Sequence, residues 1–350
     1  MKHNITAPIF IPHAGCPNQC IFCNQHIVTG KKNIQGETHS PAGSCIPSEK
    51  EIERTVDTYL AHAGTGVHRE LAFFGGSFTG LDPATQEKLL GLALSYKRSG
   101  RIDAIRLSTR PDYISEEVLD RLRSFDVSTV ELGVQSFDDA VLSAAKRGHA
   151  ARQSLDAIGL LRARGFSFVI QLLPGLPFET RESAIESART AAGLSPSGVR
   201  IYPAVVLAGT PMEELCLSGA YAPLTIDGAV GLCAAMTEIF AAQNIPVLKT
   251  GIHPLSDLGQ GSVTAGPYHP AFGFLVRARV RRNELEKMIA DAAQDRPVRH
   301  IGVSLPGVLT EEYIGHRREN ILWLAERFPE ITMNFTTDRS STCPAIHCTD

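Results

Sequence analysis

Residues 104–135, AIRLSTRPDYISEEVLDRLRSFDVSTVELGVQ, carry two short strand-like runs joined by helix-like sequence. In the first, Ala104 to Ser108, strand period two sets Arg106 and Ser108 on one face, with Arg110 in line beyond them, and Ile105 and Leu107 on the other. In the second, Thr129 to Gln135, the residues Glu131, Gly133 and Gln135 oppose Val130, Leu132 and Val134. A strand, a crossover and a second strand imply a right-handed unit with parallel strands, so consecutive polar faces share one interior. A packed barrel interior carries branched apolar side chains. Arg, Ser, Glu and Gln in that place point to a ligand cavity or to a buried ion pair between an arginine and Glu131. Glu131 and Gln135 suit a ribose, because a carboxylate accepts from hydroxyls and an amide both donates and accepts.

The same rhythm extends outward from about residue 7 to residue 245. Further strands are expected at Ala7 to Ile11, Leu71 to Phe74, Phe166 to Leu173 and Val199 to Val206, making six in all. Helices between them have legible ends: Ser48 with Glu51 forms a capping box, Asp82 and Pro83 open a helix, and Gly165 follows one ending at Arg164. Six such units suit an α/β partial barrel or a doubly wound sheet, with Ile226 to Ala242 as its last covering helix, and residues 1–245 are expected to form this core. Beyond it, residues 246–335 read as a small α+β C-terminal region with an alternating strand, Phe274 to Arg282, and helices near Asn283 to Ala293 and Glu311 to Phe328. Residues 336–350, rich in Ser and Thr, read as a flexible tail.

Composition narrows the class. A chain of 350 residues can bury a sizeable core, and a net charge of −3 gives no global case for nucleic acid or membrane. Met1 to Phe10 has no leader-like apolar core, and no run of about 18 apolar residues occurs, so a cytoplasmic protein without membrane partners is expected. Eight cysteines in a reducing compartment argue for metal or catalysis rather than disulfides.

Three of the cysteines are clustered in His13-Ala-Gly-Cys-Pro-Asn-Gln-Cys-Ile-Phe-Cys23, directly after the first strand. Thiolates of Cys16, Cys20 and Cys23 converge only if the backbone curls, and Gly15 and Pro17 favour such a loop. On a four-iron cluster, three cysteines leave one iron open for a small molecule. The competing reading is a structural zinc site completed by His13 or His26. Cys45, Cys216 and Cys233 are isolated and suit core or helix-face positions, while Cys343 and Cys348 leave a second metal site open in the tail.

In parallel α/β folds, ligands sit at the carboxyl ends of the strands. There the chain places Phe74-Gly-Gly-Ser-Phe-Thr-Gly80, whose paired glycines allow close backbone approach to an amino acid's charged groups. Gln171 to Pro177 and Tyr202 to Leu207 end the next strands and offer either walls for an adenine or ordinary turns.

The ordered set of these motifs, with Leu107 to Asp112, Glu131 to Ser136 and Leu172 to Pro177, resembles the radical SAM superfamily over roughly residues 7–245. Within it, the chain is most similar to the branch of the elongator catalytic subunit and the oxygen-independent coproporphyrinogen III oxidases. The resemblance implies a partial (β/α)6 barrel of the TIM type, with a [4Fe-4S] cluster on Cys16, Cys20 and Cys23. It further implies that Gly75, Gly76 and Ser77 take the methionyl amino group of S-adenosylmethionine (SAM). Ser108 and Arg110 would line the pocket, Glu131 and Gln135 would face the ribose, Phe22 and Leu207 would border the adenine, and Arg147 would meet the carboxylate. Reductive cleavage of SAM and hydrogen abstraction from an unknown substrate follow, fed by a reduced flavodoxin- or ferredoxin-like donor. Because the chain stops at Asp350, no acetyltransferase domain and no acetyl transfer are expected. Ala265 to Gly273 is more similar to the elongator-type group than to the porphyrinogen oxidases.

Two function classes stay open on the sequence: this enzyme, acting on a tRNA-type or a tetrapyrrole-type substrate, and a non-catalytic three-cysteine zinc or iron–sulfur module that binds RNA. Arg277, Arg279 and Arg281 share one face of the expected strand and suit either RNA phosphates or an exposed edge. His253, Tyr268 and His269, in Gly- and Pro-rich loops, are candidate substrate contacts.

Overall fold

The structure, a computed structural model, describes residues 4–16, 20–24, 27, 46–61, 63–64, 66–252, 261–294 and 298–349. In chain order the elements of the main body are β1 (Asn4–Phe10), α1 (Glu49–Leu60), β2 (His68–Phe74), α2 (Pro83–Arg98), β3 (Ala104–Thr109), α3 (Glu116–Ser124), β4 (Thr129–Gln135), α4 (Asp139–Ala144), α5 (Ala151–Ala163), β5 (Ser167–Leu172), α6 (Arg181–Gly193) and β6 (Gly198–Ile201). They are followed by β7 (Val206–Leu207), α7 (Pro211–Leu217), α8 (Ile226–Ala242), β8 (Val247–Thr250), β9 (Val263–Ala265) and α9 (Phe272–Gln294). A C-terminal unit adds β10 (His300–Pro306), α10 (Thr310–Ile314), α11 (Glu319–Arg327), β11 (Thr332–Asp338) and β12 (Ala345–Thr349).

Strands β1 to β6 and then β8 lie side by side in chain order, all parallel, as a curled seven-stranded half-barrel. Each crossover therefore runs the same way and puts its helix on one side. Period two sorts the strands: Ile105, Leu107, Val130, Leu132, Phe168 and Ile170 face the helices in one large core, and their polar neighbours face the lumen. The helix ends follow local chemistry. The Ser48 backbone N–H donates to Glu51 Oε2 at 2.8 Å, and the Asp82 carboxylate accepts from Thr85 N–H at 3.0 Å with Pro83 in the first turn.

Several expectations are corrected. The half-barrel has seven strands, not six, because Val247–Thr250 continues the sheet beside β6. The expected strand Val199 to Val206 stops at Ile201, and Val206–Leu207 pairs antiparallel with β9 instead. A boundary at residue 245 thus cuts through the core, to which Phe272 and Val276 of α9 also belong. Phe274 to Arg282 is not a strand. It is part of one 23-residue helix whose buried residues, Phe272 with Val276 and Leu285 with Ile289, recur at spacing four. Arginine is a good helix former, and contacts with α8 and the C-terminal unit override the alternation.

The expected helix from Glu311 to Phe328 breaks at Gly315, where φ is 77°, and resumes as α11. Residues 336–350 do not form a loose tail: β12 pairs antiparallel with β10, β11 lies parallel on its other side, and Ile346 and Cys348 pack onto the cluster of Leu305, Tyr313 and Leu324. Alternation within Ala345–Thr349 outweighs the polar composition of the turn before it.

In the lumen, Glu131 is fully buried, with Arg106 Nη1 at 2.9 Å, Arg200 Nε and Nη2 at 2.8 and 2.9 Å, and Gln171 Nε2 at 2.9 Å. Arg106 also reaches Glu70 at 3.0 Å. Burial alone would raise the Glu131 pKa, but the two guanidiniums outweigh it and hold the carboxyl below its ordinary range. Of the two readings of this polar interior, the ion pair is the one that holds Glu131, and its oxygens are not free acceptors for a ribose. Replacing Glu131 by Gln leaves Arg106 and Arg200 facing each other half-buried, so Glu131→Gln is expected to lower unfolding stability by about 3–5 kcal/mol in denaturant titration.

Candidate functional site

The carboxyl end of β1 leads into the cysteine loop, which lies on a ledge made by the turn after β2. Ile11 N–H donates to Phe74 O at 2.8 Å, His13 N–H to Gly75 O at 3.2 Å, and Ser77 N–H to Ala14 O at 2.9 Å. Glycine is required for this contact. A Cβ on Gly76 would stand 2.5 Å from both Ala14 O and Ile11 O, and side chains on Gly15 or Gly80 would strike each other's turn, with Gly15 already at φ +72°. Gly76 thus fits against protein backbone, while Gly75, at φ 90°, shapes the turn. Ser77 is also fully buried, sharing a 3.1 Å hydrogen bond with Thr109 and accepting from Arg110 N–H at 3.2 Å.

The far end of the loop is tied to the end of α4, to α7 and to the residue after β7. Ile21 N–H donates to Ala145 O at 3.2 Å and Ile21 O accepts from Met212 N–H at 2.9 Å, while the Asn24 amide reaches Ala208 O at 3.0 Å. Cys20 is buried, and Cys16 and Cys23 are half-buried. The loop carries all three thiols, yet among the described residues they do not stand together as a closed group of metal ligands. Neither do Cys343 and Cys348, and Cys233 is a core residue whose thiol burial pushes its pKa up. Pro17, His26, Cys45 and His253 lie outside the described residues.

Two buried guanidiniums stand against the thiols. Arg147 Nη1 donates to Cys20 Sγ at 3.3 Å, and its Nη2 donates to Gly133 O at 2.5 Å. Arg110 clasps Asp112 through Nε and Nη2 at 2.9 and 2.8 Å and donates to Arg147 O at 2.7 Å. The burial of Arg110 works against its charge, but Asp112 and the fields of Cys20 and Cys16 hold its proton firmly. Arg147 Nε and Arg110 Nη1 are buried with no hydrogen-bond partner among the described residues. Two guanidiniums and the Asp112 carboxylate make up this group, so the wall beside the thiols carries net positive charge. That fits an anionic thiolate-bound centre.

The other expected residues are distributed as follows. Ser108 accepts from Gln171 at 3.5 Å at the edge of the lumen network, and Gln135 sits at φ 72° beside a bulge, its carbonyl bound by Leu173 N–H at 2.9 Å. Phe22 packs on the cluster of Ile21, Leu176 and Met212, and Leu207 is buried in β7. His269 serves the fold: its Nδ1 accepts from Ala271 N–H at 3.1 Å at the start of α9. Tyr268 is half-buried next to it, its N–H bonded to Gly266 O at 2.9 Å.

Arg200, Asp112, Thr109 and His149 belong to the site's framework and escaped the sequence reading. Arg200 was findable, since period two from Ile201 turns it into the lumen. His149 had no local signal. Its ring is buried with Nδ1 3.7 Å from Asp112, and burial followed by the Arg147 charge pushes its pKa down to about 4.

At the end of β5, Glu179 accepts from Gly175 N–H at 2.6 Å and Ser136 Oγ at 3.3 Å, and burial nonetheless raises it to about 7.

The family described as the Radical SAM superfamily matches residues 10–191, and one described as the Radical_SAM C-terminal domain matches residues 196–282. The chain is 32% identical over 133 residues to a tRNA uridine(34) acetyltransferase of Methanocaldococcus infernus, covering 37% of this chain and 25% of that one. It is 25% identical over 294 residues to Elongator complex protein 3 of Saccharomyces cerevisiae, covering 71% and 52%. The solved structure of the archaeal Methanocaldococcus infernus Elp3 with an N-terminal deletion shares the fold, with TM-score 0.60 at 20% identity over 81% of this chain and 64% of that one. The chain thus spans about half or less of the length of these two curated relatives.

Two outcomes follow. Gly76→Ala should prise the cysteine loop off its ledge, seen as a stability loss of about 2 kcal/mol or more and faster alkylation of Cys20 by iodoacetamide. Glu179 has a folded-state pKa above its ordinary 4.5, so its stabilisation is full below about pH 4.5 and is lost as pH rises through about 7. Melting curves at pH 5 and pH 8 should differ by on the order of 2 kcal/mol from this group, and Glu179→Gln should remove that difference.

Proposed function

The chain belongs to the radical SAM superfamily, and on that premise we propose that it is an enzyme that cleaves SAM reductively to abstract hydrogen from a tRNA-type substrate. The observation that carries this reading is the pair of buried guanidiniums, Arg110 and Arg147, set against a loop with three cysteines. Cys16, Cys20 and Cys23 would hold a [4Fe-4S] cluster. When bound, a cluster with one iron free of protein ligands supplies a place for SAM and the electron that cleaves it to a 5′-deoxyadenosyl radical.

The chain's own residues bind, orient and exclude water. Arg147 donates to the Cys20 sulfur and so stabilises negative charge on it, while Arg110 and Asp112 fix the Arg147 backbone. The glycine ledge holds the loop in place with Gly76 and buried Ser77, leaving Gly75 at the turn for the methionyl end of SAM. Ser108 and Gln135 are assigned to the pocket lining and ribose, and Phe22 and Leu207 to the adenine. Apolar packing around Ile21, Leu176 and Met212 shields that side from water.

The tRNA assignment is supported by the names of the relatives, a tRNA uridine(34) acetyltransferase and Elongator complex protein 3. A cytosolic flavodoxin- or ferredoxin-like donor would supply the electron. No helix among the described residues is long and apolar enough to cross a membrane.

Anaerobic reconstitution with iron and sulfide tests the reading. The wild-type protein should turn brown and release 5′-deoxyadenosine on reduction with dithionite in the presence of SAM, faster when tRNA is added. Cys16→Ala, Cys20→Ala and Cys23→Ala should each lose both colour and release. A colourless protein that retains one stoichiometric zinc would reject it in favour of a structural metal module.

A further inference from the structure

Outside the cysteine site, α6, α8 and α9 enclose a cleft of about 330 Å³ lined by Arg181, Arg279 and Arg282, with Asp227 as its one acidic residue. Arg181 is the first residue of α6, and Asp227 stands in the first turn of α8, so the positive ends of two helix dipoles meet there. α6 begins after the carboxyl end of β5, the end of the half-barrel that carries the cysteine loop.

Arg279 pairs with Asp227, whose side chain is 84% exposed. Among the described residues Arg282 forms no ion pair, although Asp227, Glu286 and Glu319 are near enough to favour its charge. Its guanidinium lies 4.1 Å from the centroid of the Trp323 ring, which fixes its plane, and its Nε is buried without a hydrogen-bond partner among the described residues. Burial and then the adjacent Arg279 charge both disfavour the charged form of Arg282. Three guanidiniums and one carboxylate line this half-enclosed space, and Glu286 and Glu319 act on Arg282 from outside its lining. Gly231 keeps that space open, since a Cβ there would stand 3.1 Å from Arg279 Nη1.

We propose that this cleft binds a backbone phosphate of the RNA substrate, gripped by Arg279 and Arg282 and closed at the rim by Arg181. Planar guanidiniums with fixed donors match phosphate oxygens, and an anion between them would relieve their mutual repulsion. The site rests on the tRNA reading of the function and adds to it a docking point away from the reacting centre. By contrast, Arg277 and Arg281 turn to Glu312 on the other side of α9 and are spent on the fold.

Binding of unfractionated tRNA, followed by fluorescence anisotropy across a salt series, decides it. The double variant R279Q/R282Q should bind about tenfold more weakly at low salt, and the slope of log K against log salt should fall by about 1. R181Q changes an exposed residue, so it keeps the test open if the double variant melts early, and it should shift both quantities the same way by less. Wild-type tRNA binding that survives all three substitutions with its slope unchanged overturns the site alone. No tRNA binding by the wild-type protein overturns the RNA reading together with it. Unchanged tRNA binding with a pyrophosphate-dependent rise in Tm that the double variant loses assigns the cleft to a free phosphate and overturns the RNA contact.

Discussion

The buried carboxylate of Glu131 is the constraint on which the half-barrel depends. A parallel sheet whose lumen is lined by charged side chains is stable only if those charges neutralise one another out of water. Glu70, Arg106, Glu131, Gln171 and Arg200 do this across β2, β3, β4, β5 and β6, with Glu131 at the centre. The strands are thereby locked in register from the inside while aliphatic residues lock them from the outside. A saturated network of this kind also cannot rearrange cheaply. It gives a rigid floor, and the chemistry is left to the loops above it.

Those loops are positioned by backbone rather than by side chains. The cysteine loop approaches the turn after β2 closely enough that Gly15, Gly76 and Gly80 have no room for a Cβ. Main-chain hydrogen bonds then pin it at Ala14 and at Ile21. Arg110 and Arg147 complete the arrangement by bringing charge to the thiols from β3 and from the turn after α4, through a mutual hydrogen bond. Position and electrostatics are thus set by different elements, which lets the loop's geometry survive changes in the charge beside it.

Much of this was legible in the sequence where local chemistry decides structure. The strands around Leu107 and Val134, the caps at Ser48 and Asp82, and the three-cysteine loop follow from period, capping and spacing. What the sequence hid depends on partners distant in the chain. The polar lumen was visible, but its resolution into an ion network rather than a free ribose acceptor required Arg200, 69 residues beyond Glu131. His149 and Asp112 meet only because the turn after α4 folds back over β3. The C-terminal strands were missed because a Ser- and Thr-rich composition says nothing about the central strand, β10, that waits to pair with Ala345–Thr349.

The arginines of α9 show how a period error becomes a functional error. On a strand, Arg277, Arg279 and Arg281 would make one basic face. On a helix, successive residues turn by about 100°, so residues four apart stay together and their neighbours part company. Arg277 and Arg281 fall on the side of Glu312, while Arg279 and Arg282 fall on the side of α8 and Trp323. The first pair shares the Glu312 carboxylate, whereas in the second Arg279 pairs with the exposed Asp227 and Arg282 stacks on Trp323. The same run of sequence therefore supplies both a joint between the half-barrel and the C-terminal unit and the arginines that line the cleft beside α8, and it is the helical period that separates the two.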